Sequence, residues 1–148
     1  MTSSAIRNDR LVRPRHVVTA VLVAHDGVRW LPATLNAVKS QRRPVQRFVA
    51  VDTGSHDDTR ELLERAVGAS SVLKANREAG FGAGVRMATA AFRGAPGLPS
   101  TRSDSGDVVD WIWLLHDDSA PAPNALGAML ELADQMPSVA VIGAKLRG

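Results

Sequence analysis

The sequence predicts an α/β fold, a mainly parallel sheet of about five strands with helices on both faces, and three observations carry that prediction. Apolar runs of strand length alternate with segments of helical period in the order βαβαβαβαβ. The polar clusters fall where the strand runs end, which in a parallel sheet gathers them on one rim. The chain's 148 residues, 45% of them hydrophobic, suffice for one compact core.

Residues 1–15 carry Arg7, Arg10, Arg13 and Arg15 with Pro14 and read as a flexible basic arm, leaving 16–148 as the folded domain. Val17 to Ala24 is a nearly continuous apolar run, the pattern of a strand buried on both faces. After His25-Asp26-Gly27 the period changes. Val28, Leu31, Leu35 and Val38 share one helical face, with Pro32 in the first turn and Pro44 beyond the end. Phe48 to Val51 is a second strand, ending at Asp52-Thr53-Gly54-Ser55. The next helix turns Leu62, Leu63, Ala66 and Val67 inward and stops at Gly68. Ser71 to Ala75 reads as a third strand, followed by Asn76, Gly80, Gly82 and Gly84 and by Phe81, Val85, Ala88 and Phe92 at helical spacing. Residues 94–107, rich in Gly, Pro, Ser and Asp, read as a long loop. Val108 to Leu115 is the fourth strand, closed by His116-Asp117-Asp118. A helix bearing Leu126, Met129, Leu130 and Ala133 ends at Pro137, and Val139 to Ile142 is expected as a fifth strand.

Composition narrows the chemistry. Without cysteine there is no disulfide, thiolate metal site or thiol nucleophile, which fits the cytosol. No apolar run reaches the ~18 residues of a membrane span, and the first residues lack a signal peptide's apolar stretch. The net charge of +3 is unevenly placed: residues 1–47 hold nine bases against Asp9 and Asp26, whereas residues 103–144 hold seven acids and no base. The arginines come without an aromatic platform or helix-turn-helix pattern, so no nucleic-acid partner is expected. The basic arm suits an anionic membrane surface instead.

Four strand ends bear the candidate site: His25-Asp26, Asp52 to Thr59, Asn76 to Gly84, and His116 to Asp118. Carboxylates crowded on one rim repel unless a cation or ligand donors compensate, which argues for Mg²⁺ or Mn²⁺. Asp117 and Asp118 offer oxygens, and His116 adds a nitrogen that suits Mn²⁺; the competing reading is a cap for the next helix. Asp52 leaves a central strand where it can accept from a base imide or a ribose hydroxyl. Gly54 lets the backbone turn close to such a ligand. Ser55 to Asp58 has capping-box spacing, so both residues also read as a helix start. The glycines at 80, 82 and 84 do not complete a dinucleotide fingerprint, whose third position falls on Met87. They leave room for a diphosphate, with Arg77 and Arg86 nearby, or for close helix packing. His25 and His56 read as loop residues, and Trp111 and Trp113 share one strand face beneath a helix.

This ordered set resembles the family-two inverting glycosyltransferases, whose fold is the Rossmann-like GT-A three-layer sandwich. The resemblance rests on the valine-rich first strand ending at His25-Asp26, the helix from Leu31 to Gln41, Val51-Asp52-Thr53-Gly54-Ser55-His56-Asp57-Asp58-Thr59, Asn76 with Gly80 and Gly84, and Leu114-Leu115-His116-Asp117-Asp118, and covers about residues 17–146. It implies a nucleotide-sugar donor held by His25, Asp26, Asp52, Gly54, Ser55, Asn76, Gly80, Gly84 and Asp117. Asp52 is then at the base, Asp117 at the ribose or diphosphate, and Asp118, joined by His116, on Mg²⁺ or Mn²⁺. The implied reaction is direct displacement at the anomeric carbon, with a carbohydrate or lipid-linked acceptor, in the cytoplasm or at the cytoplasmic face of a membrane, as in envelope polysaccharide synthesis. The chain departs from the family's pattern at His116, which stands first in the acidic triplet, and at His25-Asp26, which replaces a Tyr-Asn pair. The family's catalytic base and acceptor elements follow the fifth strand, so the sequence is expected to be the donor-binding half of a longer enzyme, and no catalytic residue is assigned.

Two other readings compete. Asp52-Thr53-Gly54 is also the signature of retropepsin-like aspartic proteases, in which two such Asp share a proton; with one copy here, a homodimer would be required. A non-catalytic nucleotide-sugar-binding module is the other. Oligomeric state is not legible in this sequence.

Overall fold

The structure, a computed structural model, describes residues 15–93 and 108–147. The expected arm therefore lies outside the described residues except for Arg15, which opens the first strand, and so does the expected loop at 94–107. The elements are β1 (Arg15–Ala24), α1 (Leu31–Lys39), β2 (Arg47–Asp52), α2 (Thr59–Val67), a 3-10 turn (Ala69–Ser71), β3 (Val72–Lys74), α3 (Phe81–Arg93), β4 (Val108–His116) and α4 (Ala125–Gln135).

The four strands form one parallel sheet in the order β3-β2-β1-β4. β1 is central, and Val17 to Ala24 are buried without exception, because helices cover both of its faces. Ala20, Leu22 and Ala24 meet Leu31, Leu35 and Val38 of α1 and Leu63 of α2. Val18 meets Leu126 and Leu130 of α4, which cover Trp111 and Trp113 on the same side, as their alternation on β4 requires. On the other face Val21 and Val23 meet Ala88 of α3, with Phe81, Val85 and Phe92 packed around them. Buried leucines such as Leu22 and Leu63 each contribute about 2–5 kcal/mol, judged by what truncation to Ala costs at such positions.

Helix stops follow local chemistry. Pro32 stands at the start of α1, where its missing N–H costs nothing. Gly68 ends α2 with φ +88°, a conformation L-residues resist. Gln41 ties α1 to α4: its amide nitrogen donates to the carbonyls of Ala37 and Ala122, and its oxygen accepts from the N–H of Leu126.

β4 is buried on one face only, with Ile112 and Leu114 exposed on the α3 side. Two expectations are corrected. Val139 to Ile142 is no strand; the segment runs as coil, with Val141 85% exposed and Val139 and Ile142 half-buried, because a strand needs a neighbour's free backbone groups and no ladder forms there. Val28 lies before α1 and is exposed, outside the helical face predicted for it.

Candidate functional site

In open α/β sheets ligands bind beyond the carboxyl ends of the strands, at the point where the strand order reverses. In this sheet the reversal falls at β1 and β4. Their exits are His25-Asp26-Gly27 and His116-Asp117-Asp118, and the exit of β2, Asp52-Thr53-Gly54, is next in line.

Asp117 joins the first two. Its carboxylate is buried, with Oδ2 accepting from the backbone N–H of His25 at 2.9 Å and Oδ1 lying 3.1 Å from Nδ1 of His116. The hydroxyl of Thr34 on α1 donates to its carbonyl at 2.8 Å. Gly27 is indispensable here: a Cβ at that position would stand 2.5 Å from Oδ2 of Asp117. Its N–H donates to Thr59 Oγ1, and its carbonyl accepts from the N–H groups of Trp30 and Leu31, starting α1.

Asp26 ties β1's exit to the other two loops. It adopts φ +46°, a left-handed conformation that costs a non-glycine residue free energy and must be held by its surroundings. Oδ1 accepts from the N–H of His56 at 2.7 Å and Oδ2 from Nη2 of Arg77 at 2.7 Å, while its own N–H donates to Ser55 Oγ. Arg77 also donates to the carbonyl of Gly54. Gly54, at φ +69°, has the Arg77 backbone nitrogen only 2.9 Å from where a Cβ would sit, so the close neighbour this glycine admits is the β3–α3 loop.

The Arg77 guanidinium and the His56 N–H hold the Asp26 carboxyl down at about 2, below its ordinary 3.8. Since the folded value lies below the unfolded one, the stabilisation from this clamp is fully present above the ordinary carboxylate range and is lost as pH falls through about 2. A carboxyl-carbon NMR titration should place the Asp26 midpoint near 2, and Arg77→Gln should move it up toward 3.8. Asp57 is also lowered: burial pushes it up, but hydrogen bonds with Thr59 and the Val28 N–H outweigh that.

Asp52 is buried at the end of β2, and its Oδ1 accepts only a long bond, 3.3 Å, from the Ser55 N–H. His25 turns Nδ1 toward Thr53, 3.0 Å from its carbonyl and 2.8 Å from Oγ1. A carbonyl can only accept, so Nδ1 carries a proton, while Nε2 lies 3.6 Å from Oδ2 of Asp26. Asp118 is exposed, its Oδ1 3.6 Å from Nδ1 of His116. Ligand atoms of His116, Asp117 and Asp118 all lie within 4.8 Å of one another, a set of carboxylate oxygens and one imidazole nitrogen that fits a divalent cation.

The strand-end residues are thus brought together, with differences from expectation. Ser55 does not cap α2; that helix starts at Thr59 with Asp58 as N-cap and no side-chain capping bond, and Ser55 Oγ serves Asp26 instead. Asp117 and Asp118 do not cap α4, whose N-cap is Asn124. Asn76 and Gly80 are exposed in the β3–α3 turn, where their carbonyls accept from Ala79 and Gly84. Gly84 is buried, and a Cβ there would stand 2.8 Å from Val23 Cγ1, so it allows α3 to approach the carboxyl end of β1. Asp52-Thr53-Gly54 sits in a parallel α/β sheet, without the β-rich scaffold the protease reading needs. Gly27, Thr34, Thr53 and Thr59 carry no role in the sequence reading: Thr53 follows β2, but Thr34 lies within α1 and Thr59 begins α2, and their burial has no local sequence signal.

Residues 19–147 match the family described as Glycosyl transferase family 2. The galactofuranosyltransferase GlfT1 of Mycolicibacterium smegmatis is 33% identical over 108 residues, which cover 72% of this chain and 31% of that protein. Among solved structures, S. aureus TarS 1–349 in complex with UDP superposes with a TM-score of 0.53 at 15% identity, covering 80% of this chain and 32% of that one. A second TarS structure gives the same score and identity, with 20% of that chain covered. At such identity the likeness concerns the fold. The chain spans about a third of the length of the curated relative it matches.

Proposed function

Because the chain belongs to glycosyl transferase family 2, we propose that its strand-end rim is the donor site of an inverting glycosyltransferase and holds a UDP-sugar together with a divalent cation. The observation that carries this reading is the convergence of Asp52 at the end of β2 with Asp117 and Asp118 at the end of β4, joined through the β1 exit at His25, where the sheet order reverses. In it, Asp52 accepts from the base imide, and its burial strengthens that bond. Asp117 orients the β1 exit through His25 and faces the ribose or diphosphate. Asp118 and His116 hold Mg²⁺ or Mn²⁺, which supplies Lewis-acid neutralisation of the departing diphosphate. Asp26 acts by shape, since Arg77 and His56 occupy its oxygens.

Residues 16–148 serve as the donor domain of a longer enzyme, and the arginines at 7, 10 and 13 suit an anionic membrane surface. The acceptor is a carbohydrate or a lipid-linked saccharide at the cytoplasmic face, and the base that deprotonates it lies on another segment. No helix among the described residues is long and apolar enough to cross a membrane. The galactofuranosyltransferase relative makes a UDP-furanose the first donor to try.

A thermal-shift series tests the reading. UDP with Mn²⁺ should raise the melting temperature by several degrees, UDP with EDTA should raise it little, and a peptide transition-state analogue should not raise it. A shift with the peptide and none with UDP would reinstate the protease.

A further inference from the structure

We propose that Phe81 and His116 act as a unit that sets which cation the donor site accepts, favouring a first-row transition ion such as Mn²⁺ over Mg²⁺. The inference rests on the donor-site reading above and adds to it a positioning residue outside the acidic cluster. His116 stands at the end of β4 with its side chain half-exposed, a place where an imidazole would ordinarily turn freely. Two contacts restrain it. Its ring is stacked on Phe81, with centroids 5.3 Å apart and planes 16° from parallel. Its backbone N–H donates to Ser119 Oγ at 3.1 Å, closing the turn that carries Asp117 and Asp118.

Phe81 is the first residue of α3 and packs against the cluster of Val21, Val23, Val51 and Ala88, so the restraint is anchored in the core. Held this way, Nδ1 faces Oδ1 of Asp117 at 3.1 Å and Oδ1 of Asp118 at 3.6 Å, and all three groups can reach one ion. The chemistry of such a set is selective. Mg²⁺ takes oxygen ligands and sheds its waters reluctantly, whereas transition ions gain from an imidazole nitrogen. A nitrogen already oriented toward the carboxylates, once an ion takes the place of the proton it shares with them, gives that gain without the ordering cost of a free side chain.

Titrating the protein with Mn²⁺ alone, following free Mn²⁺ by electron paramagnetic resonance and then competing with Mg²⁺, measures the ratio of the two affinities. His116→Asp should lower the Mn²⁺-over-Mg²⁺ preference about tenfold, since it replaces the nitrogen by oxygen. Phe81→Leu keeps the apolar contact with the core but has no ring face, and should lower it about threefold in the same direction. An unchanged ratio in His116→Asp overturns the proposal. An unchanged ratio in Phe81→Leu, with helix content intact, overturns the part assigned to Phe81. His116 is exposed, so its replacement keeps the test valid even if Phe81→Leu loosens α3. Asp118→Asn should weaken both ions together; full retention of both in that variant overturns the donor-site reading itself.

Discussion

Replacing Asp118 by Asn is expected to weaken binding of UDP in the presence of Mn²⁺ by about 10- to 100-fold, the value of one charge-assisted contact. The residue's carboxylate is exposed and lies 3.6 Å from Nδ1 of His116, so the fold has little to lose. The melting temperature without ligand should therefore stay within about a degree of the parent's, as for most surface substitutions. Calorimetric titration of UDP into both proteins measures the first quantity and a thermal scan the second. Equal affinities in the two proteins would remove Asp118 from the site.

Gly27→Ala should have the largest effect on stability. The added Cβ would meet Oδ2, Cγ and Cβ of Asp117 at 2.5, 2.7 and 2.9 Å, and Asp117 cannot yield freely. Its carboxylate accepts from His25 and its carbonyl from Thr34, while Gly27 itself holds Thr59 and starts α1. Overpacking and a broken buried hydrogen bond together should cost about 2–4 kcal/mol, which for a chain of this size lowers the melting temperature by roughly 5–15 °C. Gly80→Ala is the control, because a Cβ there meets nothing within 4 Å and should change stability by only a few tenths of a kcal/mol. Urea titration of the three proteins separates the outcomes. Equal midpoints for Gly27→Ala and the parent would show that the β1 exit tolerates a side chain.

The elements legible in the sequence were those whose burial imposes a pattern. β1 is covered on both faces, and seven of the eight residues from Val17 to Ala24 are apolar, Thr19 being the exception. α2 and α3 bury one face, and Leu63 or Ala88 marks it. Val139 to Ile142 misleads for the converse reason: an apolar run records a tendency to pair, and pairing depends on an edge that local sequence does not specify. The strand-end acids were legible because a parallel sheet gathers its strand exits whatever the side-chain details. The details themselves were not. Ser55 has capping-box spacing yet bonds Asp26, and of the two readings open for Gly84, room for a diphosphate or close helix packing, only the contact with Val23 decides that it admits the helix. The Arg77–Asp26 pair spans 51 positions of sequence, and the contact of Gly27 with Asp117 is equally non-local.

The exits of β1, β2 and β4 should act as one cation-dependent nucleotide site. A calorimetric titration of UDP into the protein with Mn²⁺, repeated with EDTA and with Asp52→Asn, tests it most directly. The expected result is saturable one-to-one binding with Mn²⁺, weaker by about tenfold or more with either EDTA or Asp52→Asn, as fits the loss of one charge-assisted interaction. Binding of the same strength under all three conditions, or no binding with Mn²⁺ present, would contradict it.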